Sequence, residues 1–155
     1  MLFLVRHAKA GDRLRDRHAE FERPLTKNGK RQAEALGAAL IDAGATDSLY
    51  ASPYARCLQT LEPLAKLLNS KVIADQRLRE AQPFEPIIEW LAIAPEGAVL
   101  CSHGDLIPDV IAALERRACV ITTEPHWAKA SVWVLERNGE GTVIRASSWP
   151  PPNLD

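Results

Sequence analysis

Two histidines in this chain each stand where an apolar run stops abruptly. Leu2-Phe3-Leu4-Val5 breaks into Arg6-His7, and Ala98-Val99-Leu100-Cys101-Ser102 breaks into His103-Gly104. A third group, Arg56, follows Ser52-Pro53, a pair suited to starting a helix because serine caps and proline fits the first turn. An arginine in that first turn adds its paired donors to the free N–H groups of the helix end, a combination that suits phosphate. Taken singly, a histidine after a strand is ordinarily a satisfied structural group, and an arginine is ordinarily a surface residue. Together they point to one pocket that holds a nucleophile and its anion-binding partners, for chemistry on a phosphoryl group.

The elements that must position these groups follow from periodicity. Residues 2–5 read as a short buried strand, and residues 10–24 as a charged loop without periodicity. Thr26 can cap a helix with Ala33, Leu36, Leu40 and Ile41 on one face and Gly44 as its stop. A strand at 47–51 leads to the helix opened by Ser52-Pro53, whose apolar face is Leu58, Leu61, Ala65 and Leu68. A strand at 71–74, a helix at 83–93, a strand at 98–101 and a helix at 104–117 come next. Residues 131–136 and 142–146 form a hairpin around Asn138-Gly139, and residues 149–155 are irregular. This alternation predicts an α/β sandwich with a mostly parallel sheet. Ligands bind such sheets at the carboxyl ends of the strands, where His7, residues 50–52, Arg79-Glu80 and His103 all fall.

At 155 residues the chain is expected to form one domain, from 1 to 155. It is 46% hydrophobic and 25% charged, which is ordinary for a soluble globular protein. A net charge of −1 argues against bulk binding to nucleic acid or to membranes. Basic residues nevertheless crowd the first fifth, among them Lys9, Arg13, Arg15, Arg17 and Arg23. They read either as a solvated face or as a positive rim for an anionic substrate. Three cysteines with no close CxxC pair fit neither a disulfide framework nor a zinc site. With no leader-like or membrane-length apolar run, a reduced cytoplasm is the expected compartment.

Three motifs, in order, resemble those of the histidine phosphatase superfamily: Arg6-His7-Ala8, Ser52-Pro53-Tyr54-Ala55-Arg56-Cys57-Leu58-Gln59-Thr60, and His103-Gly104. Ala8 stands where the wider family has glycine. Together with Arg23-Pro24-Leu25-Thr26 and Gly29, it is similar to the short bacterial branch typified by the phosphohistidine phosphatase SixA. Leu4 to Gly11, Leu106-Ile107-Pro108-Asp109 and Lys129 to Leu135 resemble the C-terminal phosphatase domain of two-domain actinobacterial MutT-type Nudix hydrolases. The resemblance implies a phosphoglycerate mutase-like three-layer fold and a two-step transfer. Neutral His7 takes the phosphoryl group and water then releases it. Arg6, Arg56 and His103 offset its charge, with Gly104 in the binding loop. This clamp of cations implies no metal or other cofactor.

A phosphomonoester also needs a proton on its leaving oxygen. Glu80 sits where the family's general acid often lies, although it also reads as a surface glutamate beside Arg79. Lys9 and Lys129 are candidates for the pocket mouth and otherwise solvated. His126-Trp127 suggests an aromatic contact for a base, although His18 and His126 also read as surface residues and Trp133 and Trp149 as packing groups. Residues 75–97 leave no room for the large helical lid of longer relatives. An open site favours a phosphorylated protein histidine as substrate, with a nucleotide or other small phosphorylated metabolite as the alternative. A phosphate-binding module without turnover is the reading that opposes an enzyme.

Overall fold

The computed structural model describes residues 1–155. Five helices flank a seven-stranded sheet. The strands are β1 (Leu2–Arg6), β2 (Leu49–Ala51), β3 (Val72–Ala74), β4 (Val99–Ser102), β5 (Val120–Ile121), β6 (Val132–Arg137) and β7 (Val143–Trp149). Their order across the sheet is β3-β2-β4-β1-β6-β7-β5. Four of the six neighbouring pairs are parallel. The exceptions are the two that involve β6, which runs antiparallel to both β1 and β7. The sheet is therefore mixed, with its parallel part on the side that carries the histidines.

The helices are α1 (Arg17–Phe21), α2 (Lys27–Asp42), α3 (Ala55–Leu67), α4 (Glu85–Ile93) and α5 (Leu106–Arg116). The period-2 alternation of β1 divides the core in two. Phe3 and Val5 face a cluster with Leu36 and Leu40 of α2 and Leu61 and Leu64 of α3. Leu2 and Leu4 face the other cluster, with Ile87, Trp90 and Leu91 of α4 and Ile107, Val110 and Ile111 of α5. The result is the expected three-layer sandwich. Leu36 and Leu61 are almost fully buried between α2, α3 and the sheet. Truncating either to alanine is expected to cost about 2–5 kcal/mol. Gly37 lets α2 approach α3, since a Cβ there would stand 3.3 Å from the Leu64 backbone nitrogen.

Several local expectations are corrected. The 10–24 segment is not all loop: Asp16 accepts from the Ala19 N–H and caps the short α1. The helix expected at Ser52-Pro53 starts at Ala55, with Tyr54 as its N-cap and no side-chain cap. Ser52 is drawn elsewhere, as described below. A 3₁₀ turn at Gln76–Leu78 and the two-residue β5 are too short to leave a periodic signal. In the hairpin the left-handed residue is Gly141, not Gly139. The Asn138 side chain organises that loop by accepting from the N–H groups of Glu140 and Thr142. No helix is long and apolar enough to cross a membrane.

Candidate active site

The adjacent parallel strands β2, β4 and β1 bring three chain reversals to one edge of the sheet. Arg6 pairs with Ser102 and Ala51 with Cys101, so His7, His103 and Ser52 emerge side by side. The His7 and His103 rings lie 5.6 Å apart, edge to face. Both line a cavity of about 650 Å³ together with Arg6, Arg56, Glu80 and Gly104. Lys129 lines it as well, whereas Lys9 is exposed and does not, so of the two lysines the structure brings only Lys129 into the site.

His7 is buried and its tautomer is set by its own chain. Nδ1 donates to the Ala8 carbonyl at 2.8 Å, and a carbonyl can only accept, so the Nε2 lone pair is the free one. Burial lowers its pKa to about 3. The bond to Ala8 opposes that shift, and the charges of His103, Arg56 and Arg6 reinforce it. His7 is therefore a neutral imidazole throughout the physiological range.

Arg56 is held inside the protein by acids on both sides. Nη1 lies 3.0 Å from Glu20 and also donates to the Glu20 carbonyl, and Nη2 lies 3.3 Å from Glu80. Thr60, one helical turn on, donates to the Arg56 carbonyl at 2.7 Å and accepts from the Ala8 N–H at 2.9 Å. That hydroxyl ties the start of α3 to the exit of β1, which gives the Ser-Pro-x-x-Arg-x-x-x-Thr spacing a structural reason. Ser52 Oγ lies 2.8 Å from His103 Nε2, so the residue expected as a helix cap positions a histidine instead.

Arg6 donates to the Trp127 carbonyl, which fixes the guanidinium over Gly104. A Cβ at Gly104 would stand 2.6 Å from Arg6 Cζ, so any side chain there would displace the guanidinium. The Nε groups of Arg6 and Arg56 are buried donors with no acceptor in the protein. Orphaned guanidinium donors beside a neutral imidazole have the chemistry to accept an oxyanion. His126 is half-buried and His18 exposed, and Trp127 stacks on Trp133 rather than lining the cavity.

Glu80 joins the site, but as one half of an ion pair. Arg13 donates to both of its oxygens, at 3.2 and 3.1 Å. Burial pushes the Glu80 pKa up, yet the Arg13 hydrogen bond and the charges of His103, Arg13 and Arg56 outweigh it and leave it lowered. Glu20 and Asp105 are site residues that pattern reading missed, and Arg13 was read only as one of the basic residues of a solvated face or positive rim. Glu20 is buried with Arg23 at 2.9 Å, and Arg23 donates in turn to the carbonyls of Ala10 and Gly11. Asp105 accepts from the N–H of Ala81, whose left-handed φ of 63° turns the Glu80 loop toward the cavity. The only sequence signal for this group was the density of arginines in residues 13–23.

A neutral imidazole flanked by fixed guanidinium groups at the carboxyl edge of an α/β sheet defines a phosphoryl-transfer protein. Residues 2–85 match the Histidine phosphatase superfamily (branch 1). The chain belongs to that superfamily, a family of phosphatases. It is 36% identical over 158 residues to the 8-oxo-(d)GTP phosphatase of Mycolicibacterium smegmatis, covering 98% of this chain and 48% of that protein. The chain thus spans about half the length of this relative. Its fold is similar to that of the protein histidine phosphatase SixA complexed with tungstate, with a TM-score of 0.71, 21% identity and coverage of 96% and 93%. A mycobacterial glucosyl-3-phosphoglycerate phosphatase is similar as well, with a TM-score of 0.69, 19% identity and coverage of 97% and 99%.

Proposed function

We propose that this chain hydrolyses activated phosphoryl groups through a phosphohistidine on His7. The observation that carries the reading is the free Nε2 of a neutral, buried His7 between two arginines with orphaned donors. Nε2 attacks phosphorus, while Arg6, Arg56 and His103 hold the equatorial oxygens as charge redistributes. A water then attacks the phosphohistidine and restores the imidazole. The arginines supply the charge that a metal ion provides in other phosphoryl-transfer sites, so the step needs none.

The leaving group is one that departs with little help. Glu80 is the carboxylate placed to donate a proton, and its ion pairs with Arg13 and Arg56 favour its charged form. A phosphoramidate or a phosphoanhydride tolerates a carboxyl that rarely holds its proton better than an alkyl ester does. The open cleft supports a phosphorylated protein histidine as donor. The relative named for its action on 8-oxo-(d)GTP supports a nucleotide.

Incubation with a labelled donor, followed by an acid quench, tests the intermediate. Wild type is expected to carry acid-labile label and His7→Ala none. Label that persists in His7→Ala removes His7 as nucleophile. Phosphate binding without release from any donor favours the non-catalytic module.

A further inference from the structure

Next to the His7 cavity lies a second one of about 580 Å³. The two share Arg13, Glu80 and Ala81 as walls, so the bidentate Arg13–Glu80 pair stands between them. The second cavity has its own character. Arg15, Arg17 and Arg79 line it with Arg13, and Phe21 and Tyr54 form an aromatic wall with ring centroids 4.9 Å apart.

Its positive charge is not matched by the protein. Glu20 and Glu80, its two carboxylates, are already held by Arg13, Arg23 and Arg56. Arg15, Arg17 and Arg79 have no carboxylate partner. Arg79 Nε is a buried donor without an acceptor, the same condition that marks Arg6 and Arg56 in the first cavity. The Tyr54 ring lines the second cavity, facing Phe21, and packs at 5.1 Å against His103, which lines the first.

We propose that this second cavity is a leaving-group subsite, in which Arg13, Arg15, Arg17 and Arg79 hold a departing group that is itself a phosphate ester. The inference rests on the phosphohistidine reading and narrows its substrate to a small phosphoanhydride. A planar ring on the departing half packs against Phe21 and Tyr54. In the transfer, the His7 Nε2–P bond forms as the bridging P–O bond breaks. The electron pair leaves on the oxygen of the departing phosphate, an anion that needs no proton at neutral pH. Glu80 therefore stays charged, paired with Arg56 when Arg13 turns to the anion. Water later adds to phosphorus, and the His7–P bond breaks to give inorganic phosphate. Arg13 is 65% exposed, free enough to turn from Glu80 toward an incoming anion.

The experiment compares kcat/KM of wild type, Arg15→Ala/Arg17→Ala and Arg79→Gln on four donors: guanosine diphosphate, inorganic pyrophosphate, p-nitrophenyl phosphate and a phosphohistidine peptide. Arg15 and Arg17 are exposed, so their loss spares the fold. Wild type is expected to prefer the diphosphate, and also to prefer it to inorganic pyrophosphate, which lacks the ring. The double variant is expected to lose tenfold or more on the diphosphate, chiefly through KM, and at least fivefold less than that on the aryl phosphate. Equal losses on both donors, or a wild type that prefers the phosphopeptide, overturn the subsite while leaving the His7 intermediate intact. A wild type that acquires no acid-labile label from any donor overturns the phosphohistidine reading itself, and the subsite with it.

Discussion

Glu20, on the five-residue α1, lies 3.0 Å from the guanidinium of Arg56 in the first turn of α3. Burial alone would raise the Glu20 pKa. Hydrogen bonds from Arg23 and the Leu14 N–H, with the charges of Arg56 and Arg23, instead bring it to about 2 from 4.5. Glu20 holds Nη1 of Arg56, while Nη2 faces Glu80 and His103, and Glu20 does not line the His7 cavity, so it acts as a positioning residue rather than a catalytic one. Removing its charge leaves the buried Arg23 without an ion-pair partner and Arg56 with Glu80 alone, which is costlier than losing a surface ion pair.

Glu20→Gln is accordingly expected to destabilise the fold by on the order of 3 kcal/mol at pH 7, read from urea unfolding. The sign follows from a folded pKa that is lower than the unfolded one. The contribution is full above about 4.5 and disappears as pH falls toward about 2. The gap between wild type and variant should close over that window. A gap that stays constant with pH contradicts the ion-pair account. In activity, phosphate inhibition should weaken by tenfold or more as Arg56 loosens.

His7 makes the complementary pH prediction. Its folded pKa of about 3 lies far below the unfolded 6.5, so the unfolded chain takes up a proton first as pH falls. Below 6.5 this costs the native state about 1.4 kcal/mol per pH unit until about 3. His7→Asn should flatten that part of the stability curve. The rate of phosphoenzyme formation should show no titration near 6.5 from His7. A direct titration of the His7 ring by NMR with a midpoint near 6.5 contradicts the burial account.

The strands, the main helices and the three phosphate-facing motifs were legible because each leaves a local mark. Apolar runs end at His7 and His103, and Ser-Pro with an arginine three residues on marks the head of α3. Glu20 and Asp105 left none, and Arg13 only its place in a crowd of arginines, because their importance depends on where a loop closes. Arg23 reaches back to the carbonyls of Ala10 and Gly11, and only that closure brings Glu20 under Arg56. The same holds for Lys9 and Lys129. Both are basic and near a strand end, yet Ser131 and Ala130 hydrogen bonds fold the 127–130 turn over the site, while the Lys9 backbone is bound toward α2.

Gly104 offers a test of steric cause. Arg6 is held by the Trp127 carbonyl, and a Cβ 2.6 Å from its Cζ would push the guanidinium off that acceptor. Gly104→Ala is expected to cut kcat/KM by about tenfold or more while the unfolding midpoint changes little. Because the damage runs through Arg6, adding Arg6→Ala to Gly104→Ala should cost far less than the two single losses combined. Additive losses in that cycle show that Gly104 acts independently of Arg6.

The Arg13–Glu80 pair sets the last expectation. Arg13 supplies the hydrogen bond that most strongly opposes the effect of burial on Glu80, so in Arg13→Ala the carboxyl pKa must rise. A protonated Glu80 can donate to a departing alkoxide. On an alkyl phosphate, Arg13→Ala is therefore expected to move the pH optimum of kcat/KM upward and to narrow the gap to an aryl phosphate. On a phosphoanhydride, where the departing oxygen needs no proton, the same variant only loses affinity. Glu80→Gln should abolish the alkyl-phosphate shift and leave the phosphoanhydride rate within a few-fold of wild type. Equal effects of Glu80→Gln on both donors end the role of Glu80 as a proton donor and leave it as the anchor of two arginines.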